Sequence, residues 1–228
     1  MNVTNLIIKP ALFTVYVALM FSFIGCAVMN STEPESTRDE SWTAVSTLPS
    51  GIRSSFQSMV LTNGDLLVMG GVASSIEYLN DIWLSSDKGS NWNEITNQTP
   101  WTVRANFQAL VLPNNNILVM GGTSCCVYYD LDDIWLSKDS GRNWSQIPAS
   151  GHWSPMYGFQ AVVLNNGDLL VMGGTRLIGG ARYISDDVYL SKNGGTNWTL
   201  IASSNHWSAR YKFQAVVLAN NDILVLGG

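Results

Sequence analysis

The chain has 228 residues and a formal net charge of −5, and its 12 Lys and Arg residues are scattered singly. That pattern leaves no basic patch to neutralise a phosphate backbone, which excludes nucleic acid as a partner. Charged residues make up 13% and hydrophobic ones 46%, a balance that suits an all-β protein of many short buried strands.

In chain order, residues 1–26 come first. Met1 to Pro10 carries one positive charge, Lys9, and Ala11 to Gly25 is an uncharged apolar run ending at Cys26. Its length fits the core of an export signal better than a membrane span. A small residue before a cysteine resembles the lipobox of bacterial lipoproteins. The resemblance implies that Cys26 becomes a lipidated N-terminus anchored in a membrane, and Ala27 after it implies outer-membrane delivery. An ordinary cleaved signal and an uncleaved anchor are the alternatives, and all three export the rest of the chain. Residues 27–41 are polar and aperiodic, a flexible tether.

Residues 42–228 repeat about every 52 residues. Phe56 to Gly71, Phe107 to Gly122, Phe159 to Gly174 and Phe213 to Gly228 align, with steps of 51, 52 and 54 between the Phe positions. Such a period with four short strands per unit predicts an all-β β-propeller of four-stranded antiparallel blades. In the first unit strand A is Phe56 to Leu61, strand B Leu66 to Gly70 and strand C Asp81 to Ser85, with strand D beginning at Trp92. The turn between A and B is Asn63-Gly64, replaced later by Asn114-Asn115, Asn166-Gly167 and Asn220-Asn221, all able to take positive φ. Blades are expected at about 51–99, 100–151 and 152–205, with an incomplete one at 206–228. Ser41 to Ser46 reads as an orphan strand D. The expected ring is therefore larger than this stretch, or the chain is a truncated product; a four-blade ring short of one strand is the alternative.

Paired glycines after an apolar strand, then an aromatic and the D-strand Trp, resemble kelch repeats. The C–D turns also resemble the Asp-box (BNR repeat) of sialidase-like propellers. They read Ser85, Asp87, Gly89, Trp92; then Ser137, Asp139, Gly141, Trp144; then Ser191, Asn193, Gly195, Trp198. Each such turn holds at most one carboxylate, so its expected role is local structure and not Ca²⁺ binding.

In a propeller the D–A and B–C connections share one face, where ligands bind. The D–A set holds Arg53, Trp101, Arg104, His152, Trp153, Tyr157, His206, Trp207, Arg210 and Tyr211. The B–C set holds Tyr78, Tyr128, Tyr129, Arg176, Arg182 and Tyr183, with Cys125 and Cys126. Trp and Tyr faces with nearby Arg and His suit sugar rings or protein side chains. Because Trp101, Trp153 and Trp207 share a register, as do Arg53, Arg104 and Arg210, packing between blades is the competing role. Adjacent Cys125 and Cys126 either join in a vicinal disulfide or remain two loop thiols. His152 and His206 lack ligand partners in register, and neither metal nor cofactor is expected.

The sialidase resemblance implies three Arg, a Tyr–Glu pair and an acidic residue, and other glycosidases need facing carboxylates. The family's Arg-Ile-Pro is absent at Gly51 to Ser55, and after residue 41 the only Glu are Glu77 and Glu94. No catalytic residue is assigned. The expected function is an exported, lipid-anchored propeller binding an extracytoplasmic protein or glycan. The alternatives are a glycoside-directed enzyme with catalytic groups on further blades, and a truncated product without independent activity.

Overall fold

The computed structural model describes residues 26–27, 44–73, 76–124, 130–203 and 207–228, whose regular elements are all β-strands. Cys26–Ala27 (β1) pairs with Ala44–Ser46 (β2), so Ala27 belongs to a strand and not to the tether. Blade 1 is an antiparallel sheet in the order β3-β4-β5-β6: Gln57–Val60, Leu66–Val72, Tyr78–Ser85 and Asn93–Thr96. Blade 2 repeats it as β7 to β10: Gln108–Val111, Ile117–Thr123, Asp130–Ser137 and Ser145–Ile147. In blade 3 two elements interrupt the numbering. Its four strands are β12 (Gln160–Val163), β13 (Leu169–Met172), β16 (Val188–Ser191) and β17 (Thr199–Ala202). Beside them β11 (Met156–Tyr157), β14 (Thr175–Ile178) and β15 (Ala181–Ile184) form a separate three-stranded sheet. A two-stranded sheet, β18 (Gln214–Val217) with β19 (Ile223–Leu226), starts blade 4.

The A–B turns follow from their asparagines. The Asn63 side chain accepts from the Asp65 N–H at 3.1 Å and donates to its carboxylate at 2.8 Å, while Gly64 takes φ +88°. Strand boundaries differ from the sequence expectation in two ways. In blades 1 and 2 strand B runs through the glycine pair with a bulge, to Val72 and Thr123, and strand C begins earlier, at Tyr78 and Asp130. The D strands start one residue after Trp92, Trp144 and Trp198. In the last two, the indole folds back to donate to the turn carbonyl of Gly141 or Gly195, both at 2.9 Å.

Strand B is apolar throughout because both its faces are buried between blades. Ile117 and Val119 pack toward blade 1 with Leu67, Met69 and Ile82. Leu118 and Met120 pack toward blade 3 with Phe159, Leu169 and Val171. The two glycines after it have separate tasks. A Cβ on Gly121 would lie 2.8 Å from the Phe159 ring of the next blade, and one on Gly122 would lie 2.6 Å from Cβ of its own blade's Phe107. The Gln after each Phe ties blades further: Gln57 donates to the Phe107 carbonyl at 2.8 Å, and Gln160 to that of Phe213 at 2.7 Å.

The A strands of successive blades touch one another and so line the axis. Just before each Phe sits a residue with positive φ: Ser55, Asn106, Gly158 and Lys212. Asn106 N–H donates to Ser55 at 3.0 Å, Gly158 to Asn106 at 3.0 Å and Lys212 to Gly158 at 2.7 Å. This backbone chain forms a rim around the axis on the D–A face.

At the other face, Ser46 donates to the Gly89 carbonyl in the turn of blade 1. Ser150, just past strand D of blade 2, meets the turn of blade 3 in a related way, with its N–H on the Thr196 carbonyl.

Candidate functional site

The Ser-x-Asp-x-Gly-x-x-Trp turns close on themselves. The Ser85 hydroxyl donates to Asp87 and accepts from the Gly89 N–H, both at 2.8 Å, while Asp87 accepts from the Asn91 N–H and side chain at 2.8 and 2.7 Å. Those Asn91 bonds, its N–H first, hold the Asp87 carboxyl below its usual range. Ser137, Asp139, Gly141 and Asn143 repeat the set. For Asp139 burial pushes the carboxyl up, but the Asn143 bonds outweigh it and the net shift is down. Ser191, Asn193, Gly195 and Asn197 repeat it with an amide. There the Asn197 side chain instead accepts from Ser150 at 2.7 Å, joining blade 3 to blade 2. Apart from the Asn197 side chain, these polar groups are engaged within their own turn.

On the D–A side, several sequence candidates are structural. Arg104 is 0% exposed and makes a two-pronged pair with Asp133 at 2.8 and 2.7 Å, donating also to the Gly121 carbonyl at 2.9 Å. Arg53 treats Asp81 and Gly70 in the same manner. Trp83 and Trp135 donate to those carboxylates at 2.7 and 2.6 Å. Burial raises the Asp133 carboxyl, yet the hydrogen bonds and charge of Arg104, helped by Trp135, hold it below its ordinary value. Met156 occupies the arginine position in blade 3, and Arg176 takes over by reaching Asp187 at 3.1 Å. There Tyr189 replaces the tryptophan, and burial followed by the Asp187 charge pushes its hydroxyl up. Trp101 and Trp153 are 1% exposed. Each packs against the strand-D tryptophan and the strand-A phenylalanine of its own interface, Trp153 lying 4.9 Å from Trp198. As ligand-face residues, Arg104, Trp101 and Trp153 are therefore corrected by their burial among fixed partners, and Arg176, partly exposed, is held by Asp187.

The exposed candidates converge elsewhere. The Arg182 guanidinium lies 4.8 Å over the Tyr157 ring, and Tyr157 meets Tyr211 edge-on at 6.5 Å. Arg182 reaches back to Asp130 of blade 2. The Asp130 side chain is 2% exposed, and among the described residues its Oδ1 has no hydrogen-bond partner. Burial pushes its carboxyl up against the pull of Arg182. The cluster thus joins blades 2, 3 and 4 beside the rim, with Asn106 and Lys212 next to it. Trp207 donates to the Asp186 carbonyl at 2.7 Å, with Arg210 stacked 5.5 Å over its ring. His152 turns its Nδ1 to the Trp153 carbonyl at 2.9 Å. Cys125, Cys126, Tyr128, Tyr129 and His206 lie outside the described residues, and Cys26 is described through its backbone alone.

Sequence reasoning missed Asp130, Asn106 and Lys212. The shared position before each Phe was the available signal for the last two; the counterpart of Asp130 in blade 1 is Tyr78, so the repeat does not mark it as acidic. A shallow groove lined by Lys192, Asn193, Asn197 and Ile201 lies along β17, away from this cluster. Among the described residues no three His, Cys, Asp or Glu side chains are grouped to hold a metal ion.

Comparison with known proteins agrees with this geometry. The family model of the KLHDC2/KLHL20/DRC7 Kelch-repeats domain matches residues 35–228. A solved structure titled "Structure of YjhT" superposes with a TM-score of 0.62 at 19% identity, covering 77% of this chain. The chain spans 59% of that protein's length, and at this identity the likeness establishes the fold alone. No curated protein matches. With its repeats, its interlocked blades and a family match over most of its length, the chain belongs to the kelch-repeat family.

Proposed function

We propose that this propeller is an interaction module that binds an extracytoplasmic protein partner through the D–A face, around Tyr157, Tyr211 and Arg182. The kelch-repeat fold points to protein interaction at the coarse level. The observation that carries the finer reading is the convergence of accessible aromatic rings and one guanidinium from different blades, an arrangement rich in the residue types that anchor interfaces. Trp101, Trp153, Arg53 and Arg104 are instead buried within the frame. In this reading the segment before the propeller delivers it to the cell envelope, with Cys26 as the lipid-bearing residue.

A photo-crosslinking residue at Tyr211 tests the partner face in intact cells. A discrete adduct is expected there, lost when Tyr157→Ala and Arg182→Ala are added, and absent when the crosslinker stands at Asn91 on the opposite face. The same adduct from both positions would sink the reading. Metabolic labelling with a radioactive fatty acid, lost in Cys26→Ala, tests the anchor; label unchanged by that substitution would refute it.

A further inference from the structure

The hairpin of β14 and β15 is an insertion that the blade itself does not require. Its turn, Gly179-Gly180, has φ of +57° and +85°, the two positive values of a tight two-residue hairpin. Pairing runs unbroken from Thr175 with Ile184 to Ile178 with Ala181. Ser185 N–H bonds the Gly174 carbonyl at 2.9 Å, which sets the phase of the ladder. Hydrogen-bonded pairs alternate in an antiparallel sheet, so Tyr183 and Ala181 bond inward to β14. The N–H and C=O of Arg182 and Ile184 then point to the outer edge.

Among the described residues no strand occupies that edge. Edge strands are ordinarily guarded by charge, proline or a bulge. This one has no proline and no bulge, and its single charge, Arg182, is drawn across to Asp130 and Tyr157. Leu177, Ile178, Tyr183 and Ile184 are between 47% and 52% exposed.

We propose that β15 pairs antiparallel with β15 of a second copy of this chain, about a two-fold axis through Tyr183. The register follows from three constraints. A two-fold axis normal to the sheet keeps each side chain on its own face, so the axis must pass through a residue and not between two. Centring on Arg182 would set two guanidinium groups directly opposite, which is unfavourable. Centring on Tyr183 sets Arg182 against the second copy's Ile184 on both sides of the axis. All the outward N–H and C=O groups of both residues are then used, in four hydrogen bonds. The edge is self-complementary in this register, and a two-fold pair closes without leaving a further edge open. This pairing does not depend on the identity of any partner at the D–A face.

Cysteine crosslinking of the full chain tests the register. At the axis two Cα atoms approach to about 4.5 Å, within reach of a disulfide. Tyr183→Cys is expected to give a covalent dimer under mild oxidation, several-fold above the wild-type background. Ala181→Cys is equally exposed, but its two copies would stand roughly 14 Å apart along the strands, and it should stay at background. In sedimentation equilibrium, Tyr183→Lys is expected to weaken the dimer by about tenfold or more, since two ammonium groups meet at the axis. Ile184→Pro should do the same while circular dichroism stays unchanged, because it removes an outward N–H that the hairpin does not use. A chain monomeric at its solubility limit would overturn the proposal. So would equal crosslinking at both positions, or a dimer indifferent to both Tyr183→Lys and Ile184→Pro.

Discussion

Arg176 meets Asp187 at 3.1 Å from inside the B–C insertion, whereas Arg53 and Arg104 reach Asp81 and Asp133 from the D–A connection. The repeat has kept the buried carboxylate in each of the three blades while changing where its cation comes from. A carboxylate left without its cation in such a place is costly, and Met156 at the arginine position of blade 3 is tolerated because Arg176 compensates.

Arg176→Ala should therefore destabilise the fold by about 2 kcal/mol, somewhat below a fully buried pair because Arg176 is partly exposed. Adding Met156→Arg should restore at least half of the loss, as it rebuilds the arrangement of the other blades. Urea denaturation of the single and double variants measures it. A double variant no more stable than Arg176→Ala would show that the two positions are not interchangeable.

Two glycines of positive φ should respond differently to alanine. Gly121 has φ +54° and faces the Phe159 ring at 2.8 Å, while Gly64 in the first A–B turn has φ +88° and nothing within 4 Å. Gly64→Ala meets only the backbone penalty of a positive φ, about 1 kcal/mol. Gly121→Ala adds overpacking and should cost about 3 kcal/mol in all. Thermal melts of the two variants should separate clearly, with Gly121→Ala the lower.

Acid should act through Asp133. Its folded carboxyl is lowered below the unfolded value, so its contribution is present above the unfolded pKa and is lost as pH falls through the folded one. Asp133→Asn should be less stable than wild type at neutral pH, and the two curves should converge between about pH 5 and pH 2. Melting temperature against pH reads this directly; parallel curves would contradict it.

Neighbouring A–B turns are joined by a pair that changes as a unit. Thr62 N–H donates to Asn115 Oδ1 at 3.1 Å and Asn165 N–H to Asn221 Oδ1 at 3.0 Å. Between them stand Pro113, which has no N–H, and Gly167, which has no side chain and on which a Cβ would lie 3.6 Å from the proline ring. Converting both, Pro113→Thr with Gly167→Asn, should recreate the bond. The double-mutant coupling is expected to be favourable by about 0.5 kcal/mol, since the site is exposed.

Asp130 and Arg182 should be unequal partners. Removing the cation strands a buried carboxylate, so Arg182→Met is expected to cost about 2 kcal/mol. Asp130→Asn leaves an arginine that reaches water, and it should cost clearly less. Equal losses in chemical denaturation would mean that Asp130 is solvated without Arg182.

The repeat exposes the interlock of blades because Phe, Gln and the two glycines meet neighbours at a constant register, and every copy reports the same contact. Trp101 and Arg104 carry the same signal, and their recurrence points to packing as well as to a ligand. Whatever lacks a counterpart stays hidden. Arg176 serves Asp187 from an off-register position, and Asp130 opens β9 where Tyr78 opens β5, so no second copy of its carboxylate marks it. The β14–β15 hairpin is not legible as strands because Leu177 to Ile184 break the period on which the strand assignments rest.

The rim around the axis has a cost of its own. At Ser55, Asn106 and Lys212 the backbone holds φ of +55°, +51° and +55°, values at which a side chain is strained by about 1 kcal/mol. Gly158 shows that glycine fits the same place without strain. At the mouth of the axis three side chains therefore stand at a cost in stability that glycine avoids.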